Sequence, residues 1–306
     1  MISLRQHAIS LIAVFLALAL GLFLGSGFIG DRVNQLTGTD RDRLGTVEEE
    51  RDALSRQVNA DNGFINGVTP ALIGGRLDRK SVLVVTAPDA GEADVEAVKG
   101  LLNDSGASFS GQIALATNLV RDENAAKLAT VIDQSIPSGQ QLRTDYTDSG
   151  SRVGDLLGAT LLLRDGAQPV PEQQRGTVLQ TLSEGGFIDY AAGTVKPADL
   201  VVVITGGALP ADSGAQGQLV GRLAAAMAQR AQGGVLAGRE GSADGGAAIA
   251  VIRSDPGLGK SLSTVDDVNA QTGQVTVVLA LGAESDGRSG AYGTGAGATS
   301  ITVSDG

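Results

Sequence analysis

The motif closest to a binding sequence in this chain is the octapeptide Ser254–Ser261, which reads SDPGLGKS. It approaches a P-loop, in which backbone N–H groups cradle phosphates and a lysine, here Lys260, contacts the β- and γ-phosphates. Ser254 stands where that pattern requires its first glycine, and Pro256 removes one backbone donor. The sequence therefore favours a Gly/Pro loop over a nucleotide site.

Two weaker motifs also have an ordinary structural interpretation. Gly206-Gly207 follows the apolar run LVVVIT, as a phosphate-binding turn would, but no G-x-G-x-x-G pattern is present. Glu92 and Asp94 stand at a predicted helix start, where carboxylates favour the helix dipole and a surface role is expected. Neither motif predicts catalysis.

Most catalytic and soft-metal chemistry is missing from the residue types themselves. The chain has no cysteine, His7 is its only histidine, and Met1 and Met227 are its only methionines. This excludes disulfides, thiolate zinc sites and cysteine nucleophiles, and it leaves no Ser-His-Asp set beyond the first few residues. We predict no enzyme activity, no cofactor and no metal site.

The charge balance bears on partners. The formal net charge is −11, apolar residues make up 42% and charged residues 19% of the 306 residues, and there is no tryptophan. The apolar fraction predicts a folded core, whereas the lack of a Lys/Arg cluster and of Trp stacking surfaces argues against nucleic-acid binding.

A membrane anchor is predicted near the N-terminus. Residues 8–29 carry no charge, and as a helix they would span about 33 Å, the thickness of a bilayer core. A cleaved signal peptide is the alternative, although its apolar region is normally only about 7–15 residues long. Arg5 and His7 favour a cytoplasmic N-terminus and an extracytoplasmic bulk.

Small residues recur every four positions in this anchor and predict a stripe where a second helix packs. They are Ala13, Ala17, Gly21 and Gly25. Since such residues are common in membrane helices, an anchor without this dimer stays open.

Residues 31–66 predict a helical coiled-coil stalk, because apolar residues recur with a period near 3.5. The seam residues are Val33, Leu44, Val47, Leu54, Val58 and Ile65. A helix that packs on its own domain is the alternative. Gly63, Gly67 and Pro70 are expected to end the helix.

Residues 67–281 predict an extracytoplasmic α/β domain with a mostly parallel sheet, because short β-branched runs alternate with helical segments. The predicted strands are Ser81–Ala87, Phe109–Ala116, Leu200–Thr205, Val235–Ala237 and Ala248–Arg253. The predicted helices are Glu92–Asn103, Asn124–Asp133, Val153–Leu163, Thr177–Ser183 and Gln218–Gln232. Val275–Leu281 fits a strand or a helix, and the glycine-rich segment 282–306 predicts a disordered tail.

Ligands of open α/β sheets often bind at the carboxyl ends of the strands. The loops expected there are Thr86–Gly91, Thr205–Gly214 and Ser254–Lys260.

Several segments together resemble one family of actinobacterial copper transporters, which is called mycobacterial copper transport protein B. They are the opening MISLRQHAISLIAVFLALALGLFLGSG, the charged stalk, the segment SVLVVTAPDA and the closing STVDDVNAQTGQVTVVLAL. The resemblance covers nearly the whole chain and implies an envelope protein of mycolic-acid bacteria, a copper-efflux channel of the outer membrane. It supplies no catalytic motif.

Two functions follow. The first is copper homeostasis or channel-type efflux by a homo-oligomer, although copper(I) prefers thiolate, thioether and imidazole ligands and the predicted outward region offers only Met227. The alternative is a non-enzymatic coiled-coil scaffold that recruits protein partners of the envelope or cell-division machinery. A small-ligand-binding head is a third hypothesis.

Overall fold

A computed structural model describes residues 47–164 and 166–304 of the chain. The chain divides into two compact units, Met1–Phe64 and Ile65–Gly306. The predicted anchor at residues 8–29, with Ala13, Ala17, Gly21 and Gly25, lies outside the described residues. So do Val33 and Leu44 of the predicted stalk. In the described ranges, no helix combines the length and the apolar character needed to cross a bilayer.

The first described helix, α1, occupies residues 47–73. The prediction that Gly63, Gly67 and Pro70 end it is wrong, since the helix continues for three residues beyond Pro70. Packing accounts for the difference: Ile73 is fully buried and Ile65 packs against the same apolar cluster. This burial outweighs the one backbone donor that a proline removes.

Seven strands and seven further α-helices follow within the described residues. The strands are β1 (Ser81–Thr86), β2 (Ser108–Leu115), β3 (Ile188–Tyr190), β4 (Leu200–Ile204), β5 (Gly233–Ala237), β6 (Ser263–Val265) and β7 (Ala291–Tyr292). The helices are α2 (Glu92–Asp104), α3 (Ala125–Gln134), α4 (Ser149–Leu161), α5 (Glu172–Glu184), α6 (Gln216–Ala228), α7 (Ala248–Ser254) and α8 (Gln271–Ser285).

The strands form one sheet in the order β3-β2-β1-β4-β5-β6-β7. All neighbours pair in parallel except β2 and β3, which are antiparallel. The predicted α/β fold with a mostly parallel sheet is therefore confirmed. The strand order reverses direction between β1 and β4, which places the topological switch point of the sheet there.

The sheet is covered on both faces, and this explains the continuous apolar strands. Leu83 and Val85 of β1 point into a core shared with α3, α4, α5, α6 and α7. Val82 and Val84 point into the opposite core, shared with α2 and α8. The segment Val275–Leu281, whose sequence fitted a strand or a helix, lies within helix α8. It is buried on nearly all sides, and this packing stabilises its β-branched run as a helix.

One predicted strand is wrong. The segment Ala248–Arg253 belongs to helix α7, in which Ala248, Ile249 and Ile252 are buried. Their spacing places them on one helical face, and this face packs in the core shared with α6. The three-residue strand β6, which pairs with β5, was not predicted.

The prediction of a disordered tail at 282–306 is wrong for the described part of it. Helix α8 extends to Ser285, and β7 pairs with β6. Arg253 holds the segment that follows: its Nη2 donates to Tyr292 O (2.8 Å) and its Nη1 to Ala296 O (2.9 Å). The buried Asp266 pairs with Arg253 and accepts hydrogen bonds from the Thr294 and Gly295 amides. Small polar residues are thus ordered by contacts with a distant part of the chain.

Candidate functional site

The natural place for a ligand in this fold is the crevice at the carboxyl ends of β1 and β4. The loops Thr86–Gly91 and Thr205–Gly214 meet there, as their positions in the sequence predict. Thr205 Oγ1 donates to Asp89 Oδ1 (3.2 Å). A Cβ atom on Gly206 would lie only 2.6 Å from Asp89 O. The chain itself therefore fills the crevice at this point.

The loop after β5 closes the crevice further. The Arg239 amide donates to Gly206 O (3.0 Å), and a Cβ atom on Gly207 would lie 2.5 Å from Glu240 O. Gly206 and Gly207 are thus needed for close backbone approach and not for a phosphate. Arg239 Nε also lies 2.7 Å from Asp94 Oδ2.

Asp94 was expected on the surface, and that expectation is wrong. Its side chain is buried, with a residue exposure of only 4%, and it neutralises Arg239 from the start of α2. The ion pair ties α2 to the loop after β5. Pairing explains the burial, since an unpaired buried carboxylate is costly.

The far half of the loop Thr205–Gly214 borders open space. Asp212, Ser213 and Gly214 line a shallow cavity of about 420 Å³ together with Arg121 and Asp122. This cavity adjoins a smaller one of about 170 Å³ between the starts of α3, α4 and α6, since Arg121 and Asp122 line both. The two openings are the nearest counterpart of the ligand crevice that the fold predicts.

The charges around the smaller cavity are largely engaged with one another. Arg222 Nη1 lies 3.3 Å from Asp148 Oδ2, and the Ser151 amide donates to Asp148 Oδ1 (2.9 Å) as the cap of α4. Burial opposes ionisation of Asp148, but the hydrogen bonds from Ser151 and the charge of Arg222 outweigh it and lower the pKa of the carboxyl. Asp148 is thus a helix cap with a stable negative charge.

The third predicted loop, Ser254–Lys260, lies elsewhere. Residues of this motif border a cavity beside Gly233, the first residue of β5, at the amino end of the sheet. The motif follows helix α7, not a strand. Asp255 Oδ1 accepts from the Gly257 amide (2.8 Å) and the Leu258 amide (3.3 Å), so that donors a P-loop gives to phosphates are used internally. The structure does not bring this loop together with the other two.

Copper ligands are scarce in the described residues. Met227, the only methionine among them, is fully buried in the core that α6 shares with the sheet. Within residues 47–164 and 166–304 there is also no group of three or more His, Cys, Asp or Glu side chains placed to hold a metal ion.

Glu284 is one of the buried carboxylates that the sequence prediction missed. Glu284 falls in the segment predicted as a disordered tail, yet its exposure is only 5%. Burial raises the pKa of Glu284, although the hydrogen bond from Ser263 Oγ (2.7 Å) partly offsets this. A signal was present: Glu284 continues the apolar run VVLALGA, which a helix can extend.

Comparison with known proteins decides the family. The protein-family model described as "Copper transport outer membrane protein, MctB" matches residues 1–303. The chain belongs to the MctB family. The Copper transporter MctB of Mycobacterium tuberculosis (strain ATCC 25618 / H37Rv) is 45% identical over 313 residues, which cover 99% of this chain and 100% of that protein. The Copper transporter MctB of Mycobacterium leprae (strain TN) is 44% identical over 329 residues, with 99% of each chain covered.

The family match confirms the resemblance drawn from the N-terminal, stalk and closing segments. The match spans the segments predicted as anchor and stalk as well as the α/β domain. Its description names copper transport and the outer membrane.

Proposed function

We propose that this protein acts in copper homeostasis of the cell envelope as a membrane-anchored, non-enzymatic protein. The observation that carries the proposal is the match of residues 1–303 to a copper transport family. The uncharged segment 8–29 supplies the anchor, with the N-terminus cytoplasmic and the bulk of the chain extracytoplasmic.

In this proposal the α/β domain does not itself hold the metal. Copper(I) binds thiolate, thioether and imidazole groups. The one thioether among the described residues is that of Met227, and it is fully buried in the core. Channel-type efflux would therefore depend on an assembly of several copies, because a single apolar helix cannot enclose a pore.

A cell lacking the gene tests both parts of the proposal. Complementation with the wild-type chain is expected to restore growth in copper and to lower cell-associated copper, and Met227→Leu is expected to do the same. A deletion strain with unchanged copper tolerance would contradict a role in copper homeostasis. If Met227→Leu does not restore growth in copper although it is as abundant as the wild type, the proposal that the α/β domain does not bind copper is contradicted.

A second candidate function is the non-enzymatic scaffold, and the surface of α1 favours it. Val47, Leu54 and Val58 are 60%, 62% and 53% exposed, although all three are apolar. They lie on one face of the helix with spacings of seven and four residues, the spacing of a coiled-coil seam. Ile65, the next seam residue, packs on the α/β domain, so that the exposed part of the seam ends before it.

The partner that this seam fits best is a second copy of the chain. A repeat of seven residues is complementary to the same repeat on an identical helix, and the predicted anchor stripe would hold two copies in parallel. Arg51 and Asp61 interrupt the seam with opposite charges, and such polar positions set the register of a coiled coil. The assembled stalk would then present the α/β domains to envelope or cell-division proteins.

A pair of matched variants tests this self-association. Leu54→Glu inserts a charge into the seam, whereas Ala53→Glu adds the same charge at an exposed neighbouring position outside it. We expect Leu54→Glu to weaken the dimer of the full-length protein in detergent by tenfold or more, as measured by light scattering across concentrations, and Ala53→Glu to leave it unchanged. A monomeric wild-type protein, or equal effects of the two variants, would contradict the seam.

A further inference from the structure

A cavity of about 380 Å³ opens at the amino end of β5. The closed crevice lies at the other end of the strands, their carboxyl ends. The end of α6, the end of α8 and the turn that contains Gly257 and Lys260 surround it. Its size falls within the range of pockets that bind small molecules, about 300–1,000 Å³. Its walls are mainly polar, with two positive side chains, Arg164 and Lys260.

The two positive side chains have free donors. The ammonium group of Lys260 has no hydrogen-bond or ion-pair partner in the part of the chain that the structure describes. Arg164 Nη1 donates to Gln229 O (2.9 Å), the carbonyl that follows α6, and this is its one bond within the described ranges. A guanidinium has five N–H donors, so that Arg164 keeps most of them for a ligand. The helix end therefore positions the arginine without neutralising it.

The charge of the cavity favours an anion. The only carboxylate that lines it, among the described residues, is that of Glu284. Its exposure is 5%, and Ser263 Oγ donates to it from within the protein (2.7 Å). The two positive side chains outnumber this single carboxyl group, so that the described lining carries an excess of positive charge. A metal cation would meet repulsion from Arg164 and Lys260.

The remaining polar groups indicate what surrounds the anion. Gln229 Oε1 accepts from Arg143 Nη1, which leaves the Gln229 amide NH₂ free to donate. Ser261 Oγ donates to Leu258 O (2.6 Å) and keeps its lone pairs for a donor from a ligand. A lone phosphate would fill only a small part of the cavity, whereas a body with several hydroxyl groups would satisfy these side chains.

We propose that this cavity binds a small sugar phosphate, with Lys260 and Arg164 holding the phosphate and Gln229 and Ser261 contacting sugar hydroxyls. The SDPGLGKS motif then contributes through its lysine and serine side chains. Its backbone amides do not contribute as in a P-loop, because Asp255 occupies two of them. The site is independent of copper and lies in the α/β domain alone.

Thermal unfolding of the full-length protein in detergent, at constant ionic strength, tests the proposal with glucose 6-phosphate as the probe. A ligand that binds only the folded state raises the Tm in a saturable way, and we expect this for glucose 6-phosphate but not for glucose. We expect inorganic phosphate to act more weakly. Lys260→Gln and Arg164→Gln are each expected to weaken binding by about tenfold or more, the factor typical of a hydrogen bond between charged groups.

Lys196→Gln is the matched control, since Lys196 is an exposed lysine that does not line the cavity. It is expected to bind as the wild type does. Three results would overturn the proposal: no saturable rise in Tm with glucose 6-phosphate, wild-type affinity in both Lys260→Gln and Arg164→Gln, or equal shifts with glucose and glucose 6-phosphate. Because copper is absent from the experiment, its outcome is independent of the proposed role in copper homeostasis.

Discussion

Glu284 is a carboxyl group whose protonation is linked to folding. It is buried at the end of α8, where Ser263 Oγ donates to it and the Gly290 amide donates to Ser263 Oγ (3.0 Å) in turn. The chain of contacts joins α8, β6 and the residue before β7. Burial disfavours the charged form and raises the pKa of Glu284 above its usual value.

The sign of the pH dependence follows from that direction. The folded state binds the proton more tightly than the unfolded state, whose glutamate pKa is about 4.3. The favourable contribution of Glu284 is therefore complete below that pH and is lost as the pH rises through the raised folded pKa. At a pH above both pKa values this contribution is absent, and the protein is less stable than it is at low pH.

Glu284→Gln is expected to remove this penalty while it keeps an acceptor for Ser263. We expect the Tm of the variant to exceed that of the wild type at pH 7.5, and the difference to shrink towards zero at pH 4. Burial also raises the pKa of Asp267. Because Asp267 is present in both proteins, its contribution cancels in the difference in Tm. Glu49→Gln, at an exposed position on α1, serves as the control. A Tm difference that is the same at both pH values would contradict the assignment.

At the level of single residues, the sequence shows which residue types are present, but not whether each of them is buried or paired. The scarcity of histidine, cysteine and methionine is visible without a structure, as is the departure of SDPGLGKS from a P-loop. The burial of Asp94 depends on Arg239, which follows β5 and is distant in sequence. No local pattern contains such a contact, so the sequence indicates a surface carboxylate.

Among the elements, α4 and α6 pack most closely through glycines. Gly150, Gly154 and Gly158 recur every four residues along α4 and face α6. A Cβ atom on Gly154 would lie 2.8 Å from Leu223 Cα. The missing side chains let the two backbones approach, as small residues do between membrane helices. The closeness of these helices positions the walls of the smaller cavity at their starts.

A pair of glycine variants tests this packing. Gly154→Ala is expected to lower the free energy of unfolding by about 1–3 kcal/mol, because an added methyl group overpacks the contact with Leu223. Gly176→Ala, in the interior of α5, has no atom within 4 Å of the new Cβ and is expected to stabilise the protein by about 0.5–1 kcal/mol. Urea unfolding measures both. Stabilisation by Gly154→Ala would contradict the close packing of α4 and α6.

The elements that the sequence predicts well are those with strong local patterns. The continuous apolar runs of β1 and β4 and the amphipathic patterns of α2 and α3 identify these elements to within about two residues. The errors occur where tertiary packing decides: α7 carries a β-branched segment that packs as a helix, and the short β6 and β7 have few residues to show a pattern. The ordered segment after α8 depends on Arg253 and Asp266, which no local signal predicts.

For the whole molecule, the strand order permits ligand binding at the switch point but the loops prevent it. The order β3-β2-β1-β4-β5-β6 matches that of dinucleotide-binding folds, although β3 is antiparallel here. Close contacts of Gly206 with Asp89 and of Gly207 with Glu240 fill the crevice at this point. The loops thus close this site, and the fold alone does not assign a function.

For the whole molecule, we propose that the α/β domain of this member of a copper transport family does not itself bind copper. Anaerobic titration of the full-length protein with copper(I), against a competing chromophoric chelator, tests it most directly. We expect superimposable curves for the wild type and Met227→Leu, with no micromolar or tighter site that depends on Met227. A site of micromolar or tighter affinity that disappears in Met227→Leu, in a variant with unchanged Tm, would contradict it.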